Sequence, residues 1–428
     1  MPAPPLIPCD VAVIGSGIAG MSAAWFAARE GFATAVVGRT GGILFASSLL
    51  DLLAVHPLAE RRLWENPWEG LARLAADEPG HPLARIAPAR IREAIDAVAA
   101  ALGACGLAYG DGGDRNRWVL TALGTFRPTW RVPATMEAGI AARRAGAAAR
   151  IVSFHGLRGF SARGIVECAR PSWKALSAAV VEFPRAAPGG ELFPERMARA
   201  LETEAARAAL AEALTPCRQG AAALGLPAVL GISRPGEVHR DLEARLGLPL
   251  FEIPTLPPGA TGPRLKEAFE RALAQAGVRR ILGQSVVRAE ALATGGFRLE
   301  TENRDFCPGI EARGVILATG RFLGGGLRAE RGRVVETVFG LPVAFPEDRD
   351  RWHRREFFDP SGHPLNRAGL PFDEDFRPLG GGGEPAHPRL FAAGSILAGQ
   401  DWVRSGCGSG LAIATARAAV DGLKKALA

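Results

Sequence analysis

The chain has 428 residues, 48% hydrophobic and 22% charged, with 51 Lys plus Arg against 44 Asp plus Glu and a net charge of +7. This length predicts two or perhaps three domains around a sizeable core, and no window approaches the ~20 uninterrupted apolar residues of a membrane span. The basic residues are scattered along the chain, which argues against nucleic-acid binding, while an anionic substrate or an acidic lipid surface is compatible with the balance.

The cysteines Cys9, Cys105, Cys168, Cys217, Cys307 and Cys407 form no CxxC or other ligand-like spacing. A disulfide framework, a zinc site and an iron–sulfur cluster are therefore not expected, and reduced thiols in a cytoplasmic compartment are. The opening Met-Pro-Ala-Pro-Pro lacks the basic region and apolar run of a secretory signal.

The first organised stretch is Asp10-Val11-Ala12-Val13-Ile14-Gly15-Ser16-Gly17-Ile18-Ala19-Gly20, followed by an alanine-rich run. It reads as strand, tight turn and helix. Gly15 allows the turn, Gly17 removes a side chain that would block a phosphate, and Gly20 lets the helix lie against the strand. A phosphate there meets free N–H groups at the positive helix end. A second strand is predicted over 33–37. Where a dinucleotide site places an acidic residue for the adenosine ribose, the chain has Gly38 and then Arg39, so other groups hold the ribose or the ligand has no adenosine half. Arg39 suits a phosphate, although a solvated strand-end arginine is the commoner outcome.

Gly41-Gly42 and Ser47-Ser48 precede the apolar segment 49–53. Small hydroxyls in this loop can bond a flat heterocycle or cap a helix. Residues 57–105 read as helical, with Pro79, Pro82 and Pro88 marking a loop. Thr121 to Trp130 is polar and aromatic between short strands, with Arg127 as an anion or flavin contact. Residues 151–255 read as an inserted α/β domain with strands at 151–154, 179–183 and 228–232, closed by Pro254, Pro257 and Pro258. A helix over 264–275 then leads into a three-strand meander, through 281–289 and 297–301, that ends at Thr319-Gly320. Gly324 to Gly326 follow as a close-approach loop, and a cap-like segment spans about 330–385. The last junctions are Gly394-Ser395 and Gly406-Cys407-Gly408-Ser409-Gly410, which opens a carboxy-terminal helix. Backbone N–H groups at that helix start would stabilise the negative charge of a reduced flavin.

Taken together, GxGxxG, strand-Thr-Gly and strand-Gly-Ser before a glycine-opened helix predict a Rossmann-like flavin-binding domain in two parts, 1–150 and 256–428, around the insertion. The predicted cofactor residues are Gly15, Ser16, Gly17, Gly20, Arg39, Ser47, Ser48, Thr319, Gly320, Gly394, Ser395, Gly408, Ser409 and Gly410. No histidine falls inside a flavin motif, leaving Arg127, Arg404 and Cys407 as catalytic candidates; a space-filling thiol is the stronger reading of Cys407.

The motifs Ser47-Ser48-Leu49-Leu50-Asp51-Leu52-Leu53, Leu123-Gly124-Thr125 with Arg127 and Thr129-Trp130, Leu256-Pro257-Pro258, Ala318-Thr319-Gly320 with Gly325-Gly326-Leu327, and Gly406-Cys407-Gly408 closely resemble the B-subunit family of anaerobic glycerol-3-phosphate dehydrogenase along almost the whole chain. The resemblance implies oxidation of sn-glycerol 3-phosphate to dihydroxyacetone phosphate, with electrons passed to quinone. The partners it implies are the catalytic A subunit of the same dehydrogenase and a membrane-associated iron–sulfur C subunit. It also implies FMN, with FAD as the alternative, and a peripheral place on the inner face of the cell membrane through a partner. The competing readings are a fumarate-reductase-like or succinate-dehydrogenase-like flavoprotein and a non-catalytic flavin-binding scaffold.

Overall fold

Ile7–Ile14 forms the first strand because Val11, Ala12, Val13 and Ile14 are all withdrawn from water, the near-continuous apolar run of a parallel strand covered on both faces. In the computed structural model, which describes residues 6–39, 41–184, 190–293, 295–303 and 309–428, this strand is β1. It is followed by α1 (Ile18–Arg29), β2 (Thr34–Gly38), α2 (Pro67–Asp77), α3 (Pro88–Ala104), β3 (Arg117–Leu120), β4 (Phe126–Thr129) and α4 (Glu137–Arg144). Next come β5 (Ala149–Phe154), α5 (Ala162–Ala169), β6 (Leu176–Val181), α6 (Pro194–Ala200), α7 (Glu204–Leu214), β7 (Ala223–Pro227), α8 (Pro235–Leu246), β8 (Leu250–Ile253) and α9 (Thr261–Gln275). The chain closes with β9 (Arg279–Leu282), β10 (Val286–Ala291), β11 (Phe297–Thr301), β12 (Ile310–Leu317), β13 (Leu327–Ala329), β14 (Val334–Glu336), β15 (Leu390–Ala392), α10 (Trp402–Ser405) and α11 (Gly408–Leu427). Cys307 lies outside the described residues.

Two units divide the chain. The first takes residues up to Gly42, Asp51–Val98 and Glu270–Ala428. Its sheet runs β10-β11-β12-β1-β2-β9, with β15 also paired to β12. β1 is parallel to β12 through Ile14↔Leu317 and to β2 through Ile14↔Val37, and β2 is parallel to β9. The other edge of β12 is shared: its first half pairs antiparallel with β11 at Phe297↔Ala312, its second half parallel with β15 at Val315↔Leu390. The predicted meander is therefore β10-β11-β12, and the stretch predicted as one strand over 281–289 is split between β9 and β10. α1 and α11 pack together beside this sheet. The segment 330–385 belongs to this unit and is mostly turns, tied by Glu336 accepting from the N–H groups of Val338, Phe339 and Leu341.

The second unit takes Ile43–Leu50 and Ala99–Phe269. A parallel sheet β6-β5-β7-β8 lies at its centre, with Ile151, Leu224, Leu226, Phe251 and Ile253 in one buried cluster. This unit starts well before the predicted residue 151. Leu120 and Ala122 join the same cluster, and Gly139 of α4 packs on the Phe251 ring, so burial ties the β3–β4 hairpin and α4 to the inserted sheet. β7 lies at Ala223–Pro227 rather than the predicted 228–232. Two apolar runs flank Pro227, and only the first pairs with β5 and β8.

Candidate functional site

The carboxyl ends of adjacent parallel strands are where an open α/β sheet binds ligands. β1, β12 and β15 end side by side, so Gly15, Thr319-Gly320 and Gly394-Ser395 leave the sheet as neighbours. Gly15 has φ +121°, and a side chain there would also run into the Ala318 carbonyl. A Cβ at Gly20 would meet the Gly15 carbonyl, the close helix-to-strand approach the spacing predicts. A Cβ on Gly320 would stand 3.6 Å from Ser395 Oγ, and one on Gly394 2.6 Å from Ala19 Cβ of α1. Gly394 also donates its N–H to Thr415 Oγ1 of α11 at 2.8 Å. Three motifs far apart in the sequence thus meet at one sheet end.

Gly17 is the exception among these glycines: a Cβ there would meet nothing within 4 Å. The first bond of α1 runs from Met21 N to Gly17 O at 2.9 Å, so the N–H groups of Ile18, Ala19 and Gly20 stand ahead of the helical ladder, next to that space.

At the start of α11 the geometry is more closed. Leu411 N donates to Cys407 O, and Gly410 N donates to Asp51 O, both at 2.8 Å. Ser409 Oγ accepts from Asp51 N at 2.6 Å, so these two predicted cofactor residues grip the backbone of Asp51. Gly408 lies against the Trp402 ring. Cys407 is fully buried. Burial first, then the Asp51 and Asp401 carboxylates, push its thiol up against the pull of Arg321, so the group is neutral and fills space. Arg404 pairs with Asp401 at 3.2 Å, and Asp401 caps α10 by accepting from Arg404 N at 3.3 Å.

The remaining predicted residues are committed to other contacts or exposed. Ser16 Oγ donates to Arg39 O at 2.5 Å, while the exposed Arg39 side chain pairs with Glu302, the solvated strand-end outcome. Ser47, Ser48 and Arg127 belong to the second unit. Ser48 has φ +62° and donates to Thr261 O at 2.7 Å; Ser47 Oγ accepts from Leu49 N at 3.4 Å. No helix begins at either serine. Arg127 is exposed on β4. Of the histidines, His353 and His363 stack edge-on at 5.3 Å. His363 is occupied by its own loop, between Arg354 N at 3.1 Å and Phe357 O at 3.1 Å.

A surface recess lined by Pro8, Asp10, Glu311 and Arg313 lies at the opposite, amino ends of β1 and β12, away from the ligand side of such a sheet.

Comparison with known proteins agrees with the strand-end geometry. The family described as FAD binding domain matches residues 10–411. The B subunit of anaerobic glycerol-3-phosphate dehydrogenase from Pectobacterium carotovorum subsp. carotovorum (strain PC1) is 32% identical over 414 residues, covering 95% of this chain and 96% of the relative. The chain belongs to the B-subunit family of anaerobic glycerol-3-phosphate dehydrogenase. The B subunit from Vibrio vulnificus (strain YJ016) is 29% identical over 435 residues, covering 98% of this chain and 97% of the relative.

As a member of this family with a FAD-binding domain, the chain is a flavin-binding oxidoreductase. Its sheet end fits such a group: Gly17 and the first turn of α1 leave room for a phosphate, and the Thr319 hydroxyl is buried with no hydrogen-bond partner among the described residues. At Gly38 a Cβ would stand 2.6 Å from Ser16 N, so the strand end that carries a ribose-binding acid in dinucleotide folds is pressed onto the glycine turn. Two residues at this site carry no sequence signal. Asp51 enters through its backbone, which no side-chain pattern announces. Arg321 follows Thr319-Gly320 and reaches inward to the Gln400 carbonyl at 3.3 Å; an arginine after a glycine turn usually reads as solvated.

Proposed function

We propose that this chain is the flavin-bearing subunit of an anaerobic glycerol-3-phosphate dehydrogenase, which oxidises sn-glycerol 3-phosphate to dihydroxyacetone phosphate and delivers the electrons to quinone. The observation that supports this most is the meeting of Gly15 to Gly20, Thr319-Gly320 and Gly394-Ser395 at one sheet end, in a chain whose relatives carry the name of that dehydrogenase. A bound flavin would supply a two-electron relay for the electrons taken from the substrate. The first turn of α1 and Gly17 hold its phosphate, and Thr319, Gly320, Gly394 and Ser395 border the rest of the cofactor. FMN is the form proposed, because Gly38 offers no carboxylate to an adenosine ribose and leaves no space for one.

Substrate oxidation is assigned to the catalytic A subunit, and transfer to the membrane to an iron–sulfur C subunit. Arg404 is spent on Asp401 and the Cys407 thiol is held neutral, so neither offers a free base or anion clamp. Among the described residues no helix is long and apolar enough to cross a membrane, which suits attachment through a partner. Two measurements test the proposal. Mass identification of flavin released from the purified chain is expected to return FMN, and FAD overturns that part. A dye-linked assay with glycerol 3-phosphate, run against fumarate, is expected to give turnover only when the partner subunits are added; brisk turnover by the isolated chain contradicts the division of labour.

A further inference from the structure

Arg321 is a half-buried guanidinium that donates from Nη1 to a backbone carbonyl, Gln400 O, at 3.3 Å. Among the described residues it makes no ion pair. The carboxylate nearest in effect, Asp401, is committed elsewhere: one oxygen accepts from Arg404 N at 3.3 Å, and the other from Asn366 Nδ2 at 3.1 Å and Arg404 Nη1 at 3.2 Å. Burial works against the Arg321 charge, with Asp401 supporting it. A guanidinium has five N–H donors in a fixed fork, so most of this one's hydrogen-bonding capacity is open to an anion.

Its position says which anion. The residue follows the Thr319-Gly320 turn at the end of β12, beside the Gly15 turn. Its side chain bridges to Gln400, which is anchored by Nε2 to the carbonyls of Ser395 at 3.1 Å and Leu397 at 3.0 Å. Cys407, close enough to feel its charge, is the N-cap residue of α11. The cation therefore lies between two predicted flavin motifs, near a helix start whose Gly410 N–H is already occupied by Asp51 O.

We propose that Arg321 is the positioning cation for the reducible ring of the flavin, facing the pyrimidine edge where negative charge collects on reduction. This rests on the flavoprotein reading above. A flavin bound here would supply a two-electron acceptor whose reduced form carries net negative charge on its pyrimidine side. A guanidinium beside that edge favours the reduced state and raises the potential.

The test is the midpoint potential of the bound flavin, measured by equilibration with a reference dye in the purified full-length chain and in three variants. R321Q is expected to shift the two-electron equilibrium about tenfold toward the oxidised form, or about 30 mV lower, and R321K to stay close to wild type. D401N removes the neighbouring negative charge and is expected to move the potential the opposite way, which keeps the proposal testable should R321Q fail to fold. A purely structural role for Arg321 predicts no such opposed shifts. Unchanged potentials in R321Q and D401N overturn the inference. Wild-type protein that holds no flavin even after reconstitution would instead defeat the flavoprotein reading itself.

Discussion

Glu252 and Arg264 in the second unit, compared with Arg321 in the first, show two uses of a buried charge. Arg264 and Glu252 are fully enclosed side chains and satisfy each other at 2.7 and 3.0 Å. The rest of their capacity is taken by Thr135 Oγ1 at 2.6 Å, Leu230 N at 2.7 Å and the Gly231 carbonyl. Burial alone would raise Glu252, but Arg264, Thr135 and the Leu230 N–H prevail and hold the carboxyl below its usual range. That cluster is closed on itself and organises a core. Arg321 leaves donors unused at the open ends of strands.

The largest effect separating the two comes from breaking the closed cluster. Glu252→Ala strands Arg264 without its counter-charge and is expected to cost about 3–5 kcal/mol, read as a lower denaturant midpoint with an unchanged slope. A smaller loss of stability, about 1–3 kcal/mol, is expected for Gly38→Glu. Its Cβ collides with the backbone of the glycine turn, so restoring the acid should not confer FAD binding; a stable Gly38→Glu chain that gains FAD would break the reading of this strand end. Stability and binding should come apart at Gly17. Gly17→Ala adds a methyl where the protein has empty space, so its melting temperature without flavin should stay within a few degrees while flavin affinity falls about tenfold or more by titration.

The smallest prediction concerns His81, which is buried, accepts from Leu83 N at 3.2 Å through Nδ1 and leaves Nε2 without a hydrogen-bond partner among the described residues. Burial, helped by the nearby Arg367 and His56 charges, lowers its pKa from 6.5 to about 3. The unfolded chain therefore binds a proton below pH 6.5 that the folded chain refuses until about pH 3. Stability should fall with acidification through that window by about 1.4 kcal/mol per pH unit. His81→Gln should flatten the profile between pH 6.5 and 5, above the range where carboxylates such as Glu30 and Asp77 titrate.

Much of the flavin unit was legible in the sequence because its signals are local. The βαβ start, the meander and the strand-Thr-Gly and strand-Gly-Ser junctions each follow from a few adjacent residues, and the parallel register then brings them together. The misses have non-local causes. Residues 228–232 are as apolar as a strand, yet they form a loop whose burial comes from Leu230 N reaching Glu252 and Ile232 N reaching Glu202. Ser48 resembles a cap or a ligand contact, but its hydroxyl is claimed by Thr261, 213 positions away. Hairpin β3–β4 falls in the second unit because of where Leu120 and Ala122 are buried, which composition does not reveal. Arg321 went unread because sequence alone cannot tell an inward arginine from an outward one.

The division of the outer edge of β12 has a consequence for biosynthesis. The strand that occupies its carboxyl half, Leu390–Ala392, is synthesised long after β1, which begins at Ile7. Until that strand emerges, the nascent polypeptide has a glycine turn but no Gly394-Ser395 or α11 beside it. Cofactor loading therefore follows its synthesis, and translation halted before residue 390 should leave an apoprotein that no added flavin can rescue.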